Sequence, residues 1–111
     1  MASLAWDRLL ETCCNRQGTD LLFVEGSPPL MRVSDSWRTL QVPPLKIEDI
    51  RRLLTEQPKR EPDFVADGYA CFTFWYREEN REWFRVMAFG YPETKMLIAS
   101  HCPPESVAGI S

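Results

Sequence analysis

Residues 69–89 read Tyr-Ala-Cys-Phe-Thr-Phe-Trp-Tyr-Arg-Glu-Glu-Asn-Arg-Glu-Trp-Phe-Arg-Val-Met-Ala-Phe. Tyr69 to Tyr76 alternates and is rich in aromatic residues, which predicts a strand. Arg77-Glu78-Glu79-Asn80 makes a turn, and Glu82 to Phe89 is the return arm of a hairpin. Side chains alternate across a strand. Phe72 and Phe74 therefore share a face with Phe84, Val86 and Ala88, and this is the natural core face. Trp75, Trp83, Arg85, Met87 and Phe89 point the other way. A large apolar patch on a small soluble domain marks a contact surface, and Trp and Arg are enriched at interface hot spots. Those five residues are the candidate interface. The competing explanation is that the first helix of the chain covers them.

Working outward from the hairpin, Lys95 to Ser100 reads as a last strand, set off by the turn at Tyr91-Pro92-Glu93-Thr94. Pro103-Pro104 ends that strand, and residues 103–111 read as a loose tail or the start of a linker. Upstream, Lys59 to Gly68 is polar and reads as a loop with Phe64 and Val65 tucked under it. Ile47, Ile50, Leu53 and Leu54 form the apolar face of a helix from about Ile47 to Glu56, with Arg51, Arg52 and Glu56 on its wet side. Pro58 stops this helix. Leu21 to Val24, Leu30 to Val33 and Trp37 to Val42 are three further strands. A Gly26-Ser27-Pro28-Pro29 break and a hairpin-like Ser34-Asp35-Ser36 loop separate them. Ala5, Trp6, Leu9, Leu10 and Cys13 recur at helical spacing, with Ser3 as the expected cap and Gly18 as the expected left-handed stop. The sum is an α+β domain: an antiparallel sheet with helices packed on one face. It occupies residues 1–102 as a single domain.

Composition limits what such a domain does. The chain has 111 residues, which suits one domain and leaves no room for a second of ordinary size. A net charge of −3 argues against nucleic acid as a partner. No apolar run reaches the ~20 residues that span a bilayer, and the N-terminus lacks the pattern of a secretory signal. The expectation is a cytoplasmic protein with no membrane insertion.

The four cysteines, Cys13, Cys14, Cys71 and Cys102, include no Cys-x-x-Cys pair. They read as reduced thiols acting as small hydrophobes. A metal site built from Cys13, Cys14, Cys71, His101 and Cys102 has the wrong spacing for zinc knuckles, so no metal is expected. His101 is the only histidine, and it offers no convincing Cys–His or Ser–His catalytic pair. The carboxylates fall in turns and on wet helix faces. Asp20 is the exception, opening a buried strand, and it suits capping or pairing with a backbone group better than catalysis. No catalytic residue is assigned.

Gly18-Thr19-Asp20-Leu21-Leu22-Phe23-Val24-Glu25-Gly26-Ser27-Pro28-Pro29-Leu30-Met31-Arg32-Val33 resembles the opening of the N-terminal domain of PilT-type ATPases. These are the pilus-retraction motors behind twitching motility, relatives of the type II secretion ATPases. That family reads Ala-Ser-Asp-Leu-His-Leu, then Gly-x-Pro-Pro and an Arg-Val strand. The similarity runs on through Trp37-Arg38-Thr39-Leu40, Pro43-Pro44-Leu45 and Ile47-Glu48-Asp49-Ile50. It reaches Trp83-Phe84-Arg85-Val86-Met87-Ala88-Phe89, which resembles the family's Arg-Phe-Arg-Val-Asn-Ala-Phe strand. The resemblance implies a PAS-like fold that precedes a RecA-like motor domain in a hexameric ring and packs on the neighbouring subunit. It also implies an intersubunit nucleotide contact at Arg85, whose guanidinium can meet phosphate oxygens bidentately.

The departures from that family shape the functional expectation. No Gly-x-x-x-x-Gly-Lys-Ser/Thr loop is present, so this chain cannot cradle a triphosphate as a motor does. ATP enters only together with an ATPase domain, and no cofactor is expected on this chain alone. Leu22 replaces the family histidine, Trp83 the first arginine of the strand motif and Met87 its asparagine. Ala99 stands about where a further nucleotide-binding arginine falls. The expected function is a non-catalytic interaction domain. Its partner would be a neighbouring ATPase subunit, another pilus or secretion protein, or a second copy in a homo-oligomer. The alternative is a free-standing PAS-like module that senses a small molecule or nucleotide. Against it stands a well-filled core face with no convergent polar groups.

Overall fold

The computed structural model describes residues 5–102. In chain order the elements are α1 (Trp6–Asn15), β1 (Asp20–Val24), β2 (Leu30–Val33), β3 (Ser36–Thr39), α2 (Ile47–Glu56), β4 (Phe64–Ala66), β5 (Tyr69–Arg77), β6 (Glu82–Phe89) and β7 (Met96–Cys102). A short 3-10 turn, Glu78–Asn80, joins β5 to β6. All seven strands form one sheet in the order β3-β2-β1-β7-β6-β5-β4, and every pairing is antiparallel. This is the α+β architecture expected from the sequence. The Ser3 cap and the 103–111 tail lie outside the described residues.

Both helices pack on the same face of the sheet. Trp6, Leu9, Leu10 and Cys13 of α1 and Ile50 and Leu53 of α2 are buried with Leu21, Phe23, Phe72, Phe74, Phe84, Val86, Ala88, Leu97 and Ala99. Trp6 meets the edge of Phe23, ring centroids 5.8 Å apart. Its indole N–H donates to the Leu53 carbonyl at 2.6 Å, which locks α1 to α2. The indole thus satisfies the polar handle that a buried Trp carries. Phe84 is a hub, stacked on Phe74 (6.2 Å) and His101 (4.9 Å) and met edge-on by Tyr76 (5.9 Å).

Local chemistry explains the element ends. The N-cap of α1 is Ala5, with no side-chain cap. The left-handed residue after α1 is Gln17 (φ 57°) rather than Gly18. Gly18 is required for space: a Cβ there would sit 3.0 Å from both Cys13 Sγ and Met31 Sδ. At α2 the Asp49 carboxylate accepts the Lys46 N–H at 2.9 Å, closing the first turn. Gln57 is extended (ψ 153°), as the residue before a proline must be. Ser34 and Asp35 both have positive φ, which is the two-residue hairpin geometry that suits the right-handed twist of strands.

Several strand ends shift by one residue from the sequence reading, and the larger differences are two strand ends and one added strand. β3 stops at Thr39 instead of Val42, ahead of the proline pair, and β7 continues to Cys102. The stretch at Phe64–Ala66 is an edge strand, β4, paired with β5. Phe64 and Val65 are each 53 % exposed, so they are not tucked under a loop. Asp67-Gly68, a hairpin dipeptide with Gly68 at φ 84°, carries the turn that makes β4 possible.

Candidate interaction face

The strand register defines what lies on the sheet face away from the helices. One row crosses six strands: Trp37, Arg32, Asp20, Ser100, Arg85 and Thr73. The next row is apolar and crosses Leu30, Leu22, Ile98, Met87, Cys71 and Phe64. A third holds Val24, Met96, Phe89 and Tyr69. At the hairpin end, Trp75 pairs with Trp83 and Trp83 with Cys102. Among the described residues no helix covers this face, because α1 and α2 both lie on the other side. The idea that α1 shields the hairpin aromatics is therefore overturned: α1 buries its apolar stripe against Phe23 and the core instead.

The five candidate interface residues share this open face. Trp75 is 51 % exposed, Arg85 is exposed, and Trp83, Met87 and Phe89 are half-buried by their neighbours. The Arg85 guanidinium lies 5.6 Å from the Trp83 ring centroid, in cation–π range. Burial pushes the Cys102 thiol pKa up, and the nearby Arg85 charge pulls partly against it. Thr73, Phe74, Trp75 and Trp83 line an apolar cleft of about 320 Å³ at the hairpin end. Phe64, Tyr69 and Phe89 form an aromatic ladder across three strands, with centroid spacings of 5.7 and 6.3 Å.

Asp20 and Arg32, polar groups on the face, are internally engaged. Asp20 accepts the Ser100 hydroxyl at 2.8 Å and the Thr19 hydroxyl at 2.9 Å. Its partners are side-chain hydroxyls, and not the backbone group expected from the sequence. Arg32 pairs with Asp35 at 3.0 Å in the β2–β3 turn. Ala99, about where the resembling family carries a further arginine, is fully buried on the helix side between its strand partners Leu21 and Val86. That position cannot present a cation to a phosphate outside the domain.

The thiols divide by location. Cys13 is buried in the core, and burial, then the neighbouring Cys14 and Asp20, pushes its pKa up to about 12. Cys71 lies on the open face with Cys102. Cys14 does meet His101, at 3.7 Å between Sγ and Nε2, a pairing the sequence reading did not accept. Glu82 Oε1 stands 3.5 Å from the same nitrogen. Burial and Glu82 raise the Cys14 pKa, which opposes the thiolate a nucleophile needs.

Leu22, Ile98, Met96, Tyr69, Phe64 and Trp37 extend the face well beyond the hairpin residues found in the sequence. The signal was the alternation within the short apolar runs. The run Leu21 to Val24 read as buried throughout, whereas it buries only Leu21 and Phe23.

No protein-family model and no curated protein matches this chain. Among solved structures it is similar to the crystal structure of the pilus retraction motor PilT with bound ADP. Identity is 15 %, the TM-score is 0.69, and the match covers 91 % of this chain and 30 % of that one. The chain therefore spans under a third of the motor's length. The likeness shows a shared fold, that of a PilT N-terminal-like domain, in line with the resemblance read from the sequence.

Proposed function

We propose that this chain is a non-catalytic interaction domain of the kind found ahead of the motor in pilus-retraction and type II secretion ATPases. It works in the cytoplasm. The observation that carries the reading is the open sheet face, apolar over several strands and uncovered by any described helix. Trp75, Trp83, Met87 and Phe89 supply area to bury, and Arg85 supplies a directional polar contact. The partner is a neighbouring ATPase subunit, a pilus or secretion protein, or a second copy of the chain. Arg85 reaches nucleotide only where an ATPase domain brings it.

The sensor alternative draws on the cleft beside Trp75 and Trp83. That cleft sits at the low end of ligand-pocket size and has almost no polar lining to orient a ligand.

Sedimentation of the chain, alone and with its cognate ATPase, tests the proposal. Trp83→Ala is expected to weaken association by at least about 2 kcal/mol, the scale of an interface hot spot, with an unchanged circular-dichroism spectrum and melting temperature. Unchanged association of the folded variant rejects the assignment. Thermal shift on adding nucleotides or cyclic dinucleotides, with no association, favours the sensor instead.

A further inference from the structure

On the helix side of the sheet, three side chains from three elements converge. Cys14 comes from α1, Glu82 from the start of β6 and His101 from β7. One ligand-capable atom from each lies within 4.8 Å of the others. We propose that Cys14, Glu82 and His101 form a binding site for a divalent transition-metal ion of the zinc class.

The distances fit such an ion. Zinc binds Cys S at ~2.3 Å and His N or carboxylate O at ~2.0–2.1 Å. A tetrahedral angle between those bonds sets Sγ···Nε2 near about 3.6 Å and Nε2···O near about 3.3 Å. The observed separations are 3.7 and 3.5 Å. Both Cys14 and Glu82 address the same imidazole nitrogen. One N–H there serves one acceptor at a time, whereas a cation in its place serves both donors at once. A second observation points the same way. The second carboxylate oxygen, Glu82 Oε2, is buried with no hydrogen-bond partner among the described residues, and Arg77 Nη1 stands 3.7 Å from it.

Charge and chemistry agree with this choice of ion. Thiolate, carboxylate and neutral imidazole together carry −2, which balances a divalent cation, and sulfur with nitrogen favours zinc over magnesium or calcium. The side chains of His101 and Glu82 retain 12 % and 17 % exposure, which leaves a path for the ion and for a water in the fourth position. Binding displaces the thiol proton to solvent and forms the S–metal bond, with no change in oxidation state. Because the thiol must give up its proton to bind, affinity falls as pH falls. The bound ion ties α1 to the β6–β7 end of the sheet.

The test uses the full chain stripped with chelator and titrated with Co2+, then with Zn2+ in competition. One equivalent of Co2+ is expected to give a thiolate-to-metal charge-transfer band and tetrahedral d–d bands, both erased by Zn2+. Zn2+ raises the melting temperature. Cys14→Ser and His101→Gln are each expected to weaken binding beyond the roughly 10–100-fold that loss of a second-shell group costs. Cys71→Ser and Cys102→Ser leave it unchanged. Absence of the charge-transfer band in the wild-type chain overturns the site. So does a band that forms at wild-type affinity in either Cys14→Ser or His101→Gln, and the wild-type readout stands even if one variant fails to fold.

Discussion

Single residues in this domain act through space as often as through conformation. Gly18 sits against Cys13 and Met31, both fully buried, so a methyl group there forces one of them to shift within the core. Gly18→Ala is expected to lower stability by about 1–3 kcal/mol, the usual cost of overpacking, measured by urea unfolding. A variant as stable as wild type shows that Met31 can rearrange. Asp63 works through charge. Its slight burial pushes the carboxyl up, but hydrogen bonds from Lys59 and Thr73 outweigh this and hold its pKa below the ordinary 3.8. The folded state thus holds this proton less tightly than the unfolded chain. The stabilisation is complete above about pH 4 and is lost as pH falls through the lowered folded value. Asp63→Asn is expected to remove that acid-side loss from the stability profile, checked by urea melts between pH 5 and 2. An unaltered profile means that Asp63 is not the group responsible.

Elements were legible where their pattern was long and their breakers were strong. α2 runs over the residues its apolar spacing marked, because Ile50 and Leu53 fall on one face and Pro58 stops it. The β5–β6 hairpin has the expected alternation because its two faces differ sharply in size and polarity. β4 was missed because its three residues are too few to show a period, and only the Asp67-Gly68 turn announces it. The contact between Cys14 and His101 was invisible, since it joins residues 87 positions apart through the packing of α1 on the sheet. One side chain binds the two helices as a unit: the Trp6 indole N–H meets the Leu53 carbonyl. Trp6→Phe keeps the ring but leaves that carbonyl unpaired, so a loss of about 1–3 kcal/mol is expected. Calorimetry checks it, and an unchanged melting temperature would show that the bond contributes nothing net.

At the scale of the molecule, the sheet divides two tasks between its faces. One face carries both helices and the whole buried core. The other is left apolar and open, which is why Trp83→Ala is expected to separate association from stability. That division was half legible: the hairpin revealed both faces, but the share contributed by β1, β2 and β7 depends on a strand order that no local pattern encodes. The same order has another consequence. Residues 20–39 and residues 64–102 share a single ladder, β1 against β7, and the segment from Gln57 to Asp63 is the chain crossing between them. A backbone nicked in that crossing would break no strand pairing. The two pieces would meet again along the five-residue β1–β7 seam and beneath the two helices that close the core, as the halves of a split reporter do, and the domain would exist only while both were present.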